Sequence, residues 1–122
     1  MALALVIDDD GAIRKTLRRQ LVALGYGVVE GDNGAQGLAL CREHKPALVI
    51  SDIFMPEKEG IETIREIRRE FPEIKIIAIS GSDAHQVSLY LEVAQNLGAN
   101  AVLAKPWRAA QLKETIERLL KD

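Results

Sequence analysis

Short continuous apolar runs, each ended abruptly by polar residues and separated by stretches with helical spacing, constrain this chain more than anything else in it. The central run, Ala47–Ile50, shows the pattern best. Pro46 leads it in, Asp52 sits just past its end, Met55-Pro56 breaks the chain, and Gly60 precedes a helical pattern. A run of this kind reads as a parallel strand covered on both faces, because a strand with one wet face would alternate. Ligands of open parallel α/β sheets bind outside the carboxyl ends of the strands. Asp52 therefore has the position of a reactive group, although on this stretch alone it reads equally well as a cap or turn residue.

The remaining runs repeat the arrangement. Leu3–Ile7 forms a first strand that stops at Asp8-Asp9-Asp10, and Asp10 is placed to cap the following helix. That helix carries Ile13, Leu17, Leu21 and Leu24 inward and Arg14, Lys15, Arg18 and Arg19 on its wet side, and Gly25 stops it. Tyr26–Glu30 is a second strand, and Asp32-Asn33-Gly34 turns the chain into a helix bearing Ala35, Leu38 and Cys41. After the central strand, Ile61, Ile64, Ile67 and Phe71 mark an amphipathic helix closed by Pro72. Ile74–Ile79 is a fourth strand ended by Ser80-Gly81-Ser82-Asp83. A helical pattern follows over His85–Leu97, with Val87, Leu91, Ala94 and Leu97 inward, and Gly98 ends it. Ala101–Ala104 is a fifth strand, followed by Lys105-Pro106-Trp107 and a last helix with Leu112, Ile116, Leu119 and Leu120 inward. Five strands alternating with five helices require a doubly wound α/β fold, a parallel sheet between two helical layers joined by right-handed crossovers.

The totals agree with one domain over residues 1–122. Of 122 residues, 48% are hydrophobic and 28% charged, which suits a core that needs no metal or disulfide to form. A net charge of −2 with no separate Lys/Arg block speaks against a nucleic-acid or anionic-membrane surface. Cys41 is the single cysteine and reads as an inert packed residue. The opening MALALVIDDD is too short for a membrane span and lacks the basic start and cleavage region of a signal peptide, so a cytoplasmic location is expected.

In a parallel sheet the polar residues at strand ends share one edge: Asp8 and Asp9 after strand one, Asp52 after strand three, Ser80 after strand four and Lys105 after strand five. If strands one and three are neighbours, three carboxylates converge. They would raise one another's pKa unless a cation sits among them. An all-oxygen cluster with free positions suits Mg²⁺, which takes one or two carboxylates, keeps waters and leaves room for a phosphate oxygen. Lys105 offers a compact positive charge and Ser80 a hydroxyl donor, both useful against a phosphoryl group. Strand-end turns and a surface lysine would account for any one of these residues. They do not account for acids after strands one and three with a hydroxyl and a lysine after strands four and five.

From VIDDD through SDIFMPEKEG and AIS to LAKP, the whole chain resembles the receiver (response regulator) domain of two-component signalling. The resemblance implies a flavodoxin-like (CheY-like) sheet of order 2-1-3-4-5. It implies a phosphoacceptor signalling domain, one that assists its own phosphorylation and dephosphorylation and is not otherwise an enzyme. Asp52 would take a phosphoryl group from a sensor histidine kinase or histidine phosphotransfer protein and later lose it by hydrolysis. Asp9 would be a direct Mg²⁺ ligand, Asp8 a ligand acting largely through water, and the backbone carbonyl of Phe54 a third protein contact. Ser80 matches the switch hydroxyl and Lys105 the phosphate-binding lysine. Pro56 and Gly60 match the turn after the acceptor, and Lys105-Pro106 a peptide bond usually cis in the family. The implied output face is helix 85–97, strand five and the last helix, read by a downstream effector protein or domain. The family also admits a phosphorylation-dependent dimer.

Three features depart from the family pattern. Val102 stands where an aromatic commonly rotates inward, with Tyr90 and Trp107 the nearby rings; Tyr90 reads more simply as a helix-surface residue, and Trp107 as a packing or interface residue. The Ser80–Lys105 spacing is longer than is typical, the extra length falling in SDAHQVSLY, where His85 reads as a solvated loop residue. Phe54 and Ser82 occupy positions that in the family influence access of hydrolytic water, and the resemblance implies that a bulky Phe54 would shield an acyl phosphate. Two other classes compete with the receiver reading. A Mg²⁺-dependent phosphohydrolase with an aspartyl nucleophile usually needs a second acid where Phe54 stands. A degenerate receiver acting only as an interaction module is disfavoured by the full set Asp8, Asp9, Asp52, Ser80 and Lys105.

Overall fold

A computed structural model describes residues 2–53, 60–80, 92 and 95–120. The strands are β1 (Leu3–Ile7), β2 (Gly27–Gly31), β3 (Leu48–Asp52), β4 (Lys75–Ser80) and β5 (Ala101–Ala104). They form one parallel sheet in the order β2-β1-β3-β4-β5, the order the resemblance implies. Helices α1 (Gly11–Ala23), α2 (Gly34–His44) and α3 (Gly60–Glu70) and a C-terminal helix (Ala109–Leu120) have defined bounds. The helix expected over 85–97 is described only at 92 and 95–97, which are helical. Val87, Tyr90, Leu91 and Ala94, with His85 and Ser82, lie outside the described residues.

Strand alternation splits the core into two layers. Leu5, Ile7, Val49, Ile76 and Ala78 face Leu38 and Cys41 of α2 and Ile64 and Ile67 of α3. Ala4, Val6, Leu48, Ile50, Ile77 and Ile79 face Leu17 and Leu21 of α1 and Leu112 and Ile116 of the C-terminal helix. Each fully buried Leu or Ile contributes about 2 kcal/mol relative to exposure, so both layers hold the sheet. Cys41 is part of the first layer. Burial pushes its thiol up to about 11, which leaves it unreactive at neutral pH.

Local signals set the helix ends. Asp10 accepts from Ala12 N–H at 2.9 Å and Asn33 from Gln36 N–H at 2.8 Å, each capping a helix N-terminus. Gly25, at φ +94°, follows the Leu24 C-cap of α1. Several strands run differently from their apolar runs. Asp52 and Ser80 are the last residues of β3 and β4, not the first residues beyond them, and β2 lies one residue later than Tyr26–Glu30. The apolar run ends before the hydrogen-bond ladder does: Ser51 is fully buried, and Asp52 still pairs in register with Ile79.

Beneath the sheet, at its amino end, Arg68 of α3 ties three segments together. Its Nε donates to the Gly98 carbonyl at 2.9 Å, and one terminal nitrogen donates to the Pro72 carbonyl at 2.7 Å. The other donates to Asn100 Oδ1 at 2.6 Å, an oxygen that also accepts from Ile76 N–H at 2.8 Å. Gly98 has φ +112°, and a Cβ there would collide with the stem of Arg68, so both conformation and space call for glycine. On the α1 side, Trp107 packs into the second layer and its indole N–H donates to Gln20 Oε1 at 2.8 Å, in keeping with a packing residue.

Candidate functional site

Because β1 and β3 are adjacent, the ends of both strands deliver acids to the same spot. Asp8, Asp9 and Asp52 each offer a carboxylate oxygen, and these oxygens lie within 4.8 Å of one another. Asp8 is fully buried and Asp52 is 5% exposed, whereas Asp9 is open to solvent. From the end of β5, Lys105 reaches back over β4, its Nζ 3.4 Å from Asp52 Oδ2 and 3.9 Å from Asp8 Oδ2. Ser80 ends β4 one residue beyond Ile79, the register partner of Asp52, and is fully buried. Its carbonyl accepts from Lys105 N–H at 3.1 Å, which ties the lysine's backbone to the same edge, and the Lys105-Pro106 peptide is cis.

Asp8 is held by nearly every polar atom it has. Its N–H donates to the Gly31 carbonyl at 3.1 Å, and its Oδ1 accepts from Asp10 N–H at 2.9 Å. Its carbonyl accepts from a terminal nitrogen of Arg14 at 2.7 Å. Oδ2 alone is left buried without a hydrogen-bond partner among the described residues, as is Ser80 Oγ. Burial is the main cause that raises the Asp8 carboxyl to about 6; the Asp10 N–H and Lys105 pull it down, while Asp52 and Asp9 push it up. Crowding of the three acids, the cause expected from sequence, is thus secondary for Asp8 to the loss of water around it.

The donor set fits a hard divalent cation. A buried carboxylate oxygen with no partner is costly, and one shared cation would compensate the three acids at once. Asp8, Asp9 and Asp52 are placed to hold such an ion; Phe54, expected to add its carbonyl, lies outside the described residues, as does Pro56. Gly60, the first residue of α3, packs so tightly under the site that a Cβ would overlap the carbonyl oxygen of Asp52. Glycine there lets the start of α3 abut the end of β3.

Two residues of this edge escaped the sequence reading. Arg14, assigned to the wet side of α1, folds back to the Asp8 carbonyl and braces its Nε on Glu30 Oε1 at 3.2 Å. Glu30 also pairs with Arg18, whose hydrogen bond is the chief cause holding the Glu30 carboxyl below its usual range. The only signal was an arginine in the second turn of a helix that begins at the acids, which helical periodicity reads as solvated charge.

This geometry agrees with the relatives the chain matches. Residues 4–117 match the family described as "Response regulator receiver domain". The chemotaxis protein CheY of Bacillus subtilis is 36% identical over 117 residues, covering 95% of each chain. The probable C4-dicarboxylate response regulator DctR of the same organism is 33% identical over 93% of this chain but only 50% of its own length. The chain thus spans about half the length of several curated relatives and nearly all of the chemotaxis protein. Among solved structures, chemotaxis protein CheY4 of Vibrio cholerae superposes with a TM-score of 0.88 at 26% identity, covering 98% of this chain and 99% of its own. The receiver domain of NtrX from Brucella abortus gives 0.89 at 28% identity, covering 97% and 98%. With a doubly wound sheet and an acid cluster at its carboxyl edge, this chain belongs to the response regulator receiver domain family.

Proposed function

We propose that residues 1–122 act as one receiver domain in which Asp52 accepts a phosphoryl group from a sensor histidine kinase or histidine phosphotransfer protein. Mg²⁺ would be held by Asp8, Asp9 and Asp52 with the carbonyl of Phe54. The observation that carries this reading is the Lys105 ammonium set 3.4 Å from a nearly buried Asp52, beside a buried oxygen of Asp8 and the hydroxyl of Ser80 that find no partner among the described residues.

In-line phosphoryl transfer asks a protein chiefly for positioning and charge neutralisation. A carboxylate oxygen of Asp52 forms the new P–O bond as the donor's P–N bond breaks, and the departing imidazole nitrogen keeps the electron pair and takes up a proton. Lys105, 3.4 Å from Asp52, neutralises negative charge on the transferring group. Bound Mg²⁺ supplies further positive charge to the phosphoryl oxygens. Hydrolysis by water at phosphorus then releases inorganic phosphate and restores the carboxylate.

Ser80 Oγ is the donor for a phosphoryl oxygen once one is attached. Its displacement passes to β5 through the Ser80–Ala104 register pair and the Lys105 N–H bond to the Ser80 carbonyl. Val102, partly buried against the first core layer, has no ring to rotate, so the signal runs through backbone and packing to helix 85–97, β5 and the C-terminal helix. A downstream effector protein or domain reads that face, with a phosphorylation-dependent dimer as one output, and no direct nucleic-acid or membrane contact. We place the domain in the cytoplasm; no helix among the described residues is long and apolar enough to cross a membrane.

Mass spectrometry after incubation with acetyl phosphate, with and without Mg²⁺, tests the reading. A single phosphate adduct that needs Mg²⁺ and disappears in Asp52→Asn is expected. An adduct surviving that substitution would move the acceptor elsewhere, and none at all would leave an interaction module.

A further inference from the structure

We propose that Arg14 is a positioning residue for the cation site, fixing the Asp8–Asp9 turn so that Asp8 presents Oδ2 to the ion. This inference rests on the Mg²⁺ site proposed above. Among the described residues three hydrogen bonds define how Asp8 sits, and the shortest is the 2.7 Å one from Arg14 to its carbonyl. That carbonyl opens the peptide leading to Asp9, so it orients the backbone carrying both acids. Arg14 reaches it with a side chain already anchored on Glu30 and only 22% exposed, a geometry with little freedom. Groups that orient a metal ligand without touching the metal commonly control affinity.

A plainer reading makes Arg14 a staple between α1 and β2. The molecule carries its own control for that. Arg18, one turn later, also pairs with Glu30 and donates to the Val28 carbonyl at 3.2 Å, so it joins the same two elements without touching Asp8. If stapling were the whole role, neutralising either arginine would affect the cation site alike. Electrostatics alone sets the opposite sign: removing a positive charge near a cation site should strengthen cation binding. Only positioning predicts that loss of Arg14 weakens it while loss of Arg18 does not.

Calorimetric titration of the full chain with MgCl₂, without phosphodonor, separates the three. Arg14→Gln is expected to raise the Mg²⁺ dissociation constant about tenfold, the lower end of the range for residues that orient a metal ligand. Arg18→Gln is expected to leave it unchanged or lower it slightly. Arg14→Lys keeps the charge but loses the fork that spans Asp8 and Glu30, and should bind Mg²⁺ about threefold more weakly. Binding by Arg14→Gln as tight as wild type, or equal weakening in Arg14→Gln and Arg18→Gln, would overturn the inference. Should Arg14→Gln fail to fold, the lysine variant decides it: wild-type affinity there overturns the assignment. Wild-type chain that takes up no Mg²⁺, or takes it up unaffected by Asp9→Asn, would sink the underlying site and this inference together. Wild-type binding lost in Asp9→Asn leaves the site standing and Arg14 to be judged alone.

Discussion

At the amino end of the sheet, Arg68 spreads its guanidinium over the Gly98 and Pro72 carbonyls and the side chain of Asn100, whose oxygen also takes the Ile76 N–H. At the carboxyl end, Asp8 and Ser80 each bury an oxygen with no hydrogen-bond partner among the described residues, and Lys105 pairs with Asp8 and Asp52 in a cluster of three acids. Both clusters are polar, partly buried and assembled from distant parts of the chain. The first is closed on itself, and its return is stability. The second is open by one or two partners, which costs stability and leaves room for a ligand. Within a single small fold, satisfaction of hydrogen bonds separates what holds the molecule from what it does.

The sharpest test of that contrast is Asp52→Asn. It should abolish the Mg²⁺-dependent phosphate adduct while leaving the thermal midpoint at or above wild type, because it removes a charge from a crowded site; a large loss of stability would make Asp52 structural. Next comes Arg68→Ala, expected to lower unfolding stability by about 2 kcal/mol in urea melts as several hydrogen bonds from one charged donor vanish. Its adduct yield with acetyl phosphate at a temperature where it stays folded should match wild type. A variant that folds well yet cannot be phosphorylated would blur the two ends.

A smaller effect follows from Asp8, whose carboxyl is raised from 3.8 to about 6 in the folded chain. The folded state therefore holds its proton more tightly than the unfolded one. In metal-free protein the stability this contributes is fully present below about 3.8 and is lost as pH rises through about 6. Melts of wild type against Asp8→Asn from pH 7 down to 4 should show the wild type gaining relative to the variant. Mg²⁺ uptake should move the other way and weaken below about pH 6, since proton and metal compete for the same carboxylate. The least change is expected from Arg42→Ala, which breaks a two-pronged but exposed pair with Glu70 and touches neither cluster; its thermal midpoint should be indistinguishable from wild type.

Much of the carboxyl end is legible in the sequence. Strand ends are marked by a change from apolar to polar residues, and parallel topology then places those ends together, which is why Asp8, Asp9, Asp52, Ser80 and Lys105 were readable as one group. What escaped was whatever depends on long side chains reversing direction. Periodicity places Arg14 on the wet face of α1, yet it bends back to the Asp8 carbonyl; Arg68 sits at helical spacing from Ile61 and Ile64, and nothing in the sequence signals that its guanidinium would run under the sheet to Gly98 and Asn100. The balance of forces at Asp8 was also misjudged, because a sequence reveals neighbouring charges more readily than depth. The apolar runs stop two residues short of the strand end at Asp52 and one short at Ser80, since the ladder tolerates small or acidic residues that an apolar run does not.

The bond between Trp107 and Gln20 has a practical consequence. The chain's single tryptophan lies two residues beyond Lys105 and leans on α1, the helix whose first residues follow the acid pair. Any event that shifts the lysine or the acids should alter the packing and polarity around one indole, with no second indole to dilute the signal. The protein therefore carries a native fluorophore, and stopped-flow emission can follow site occupancy in real time without a label.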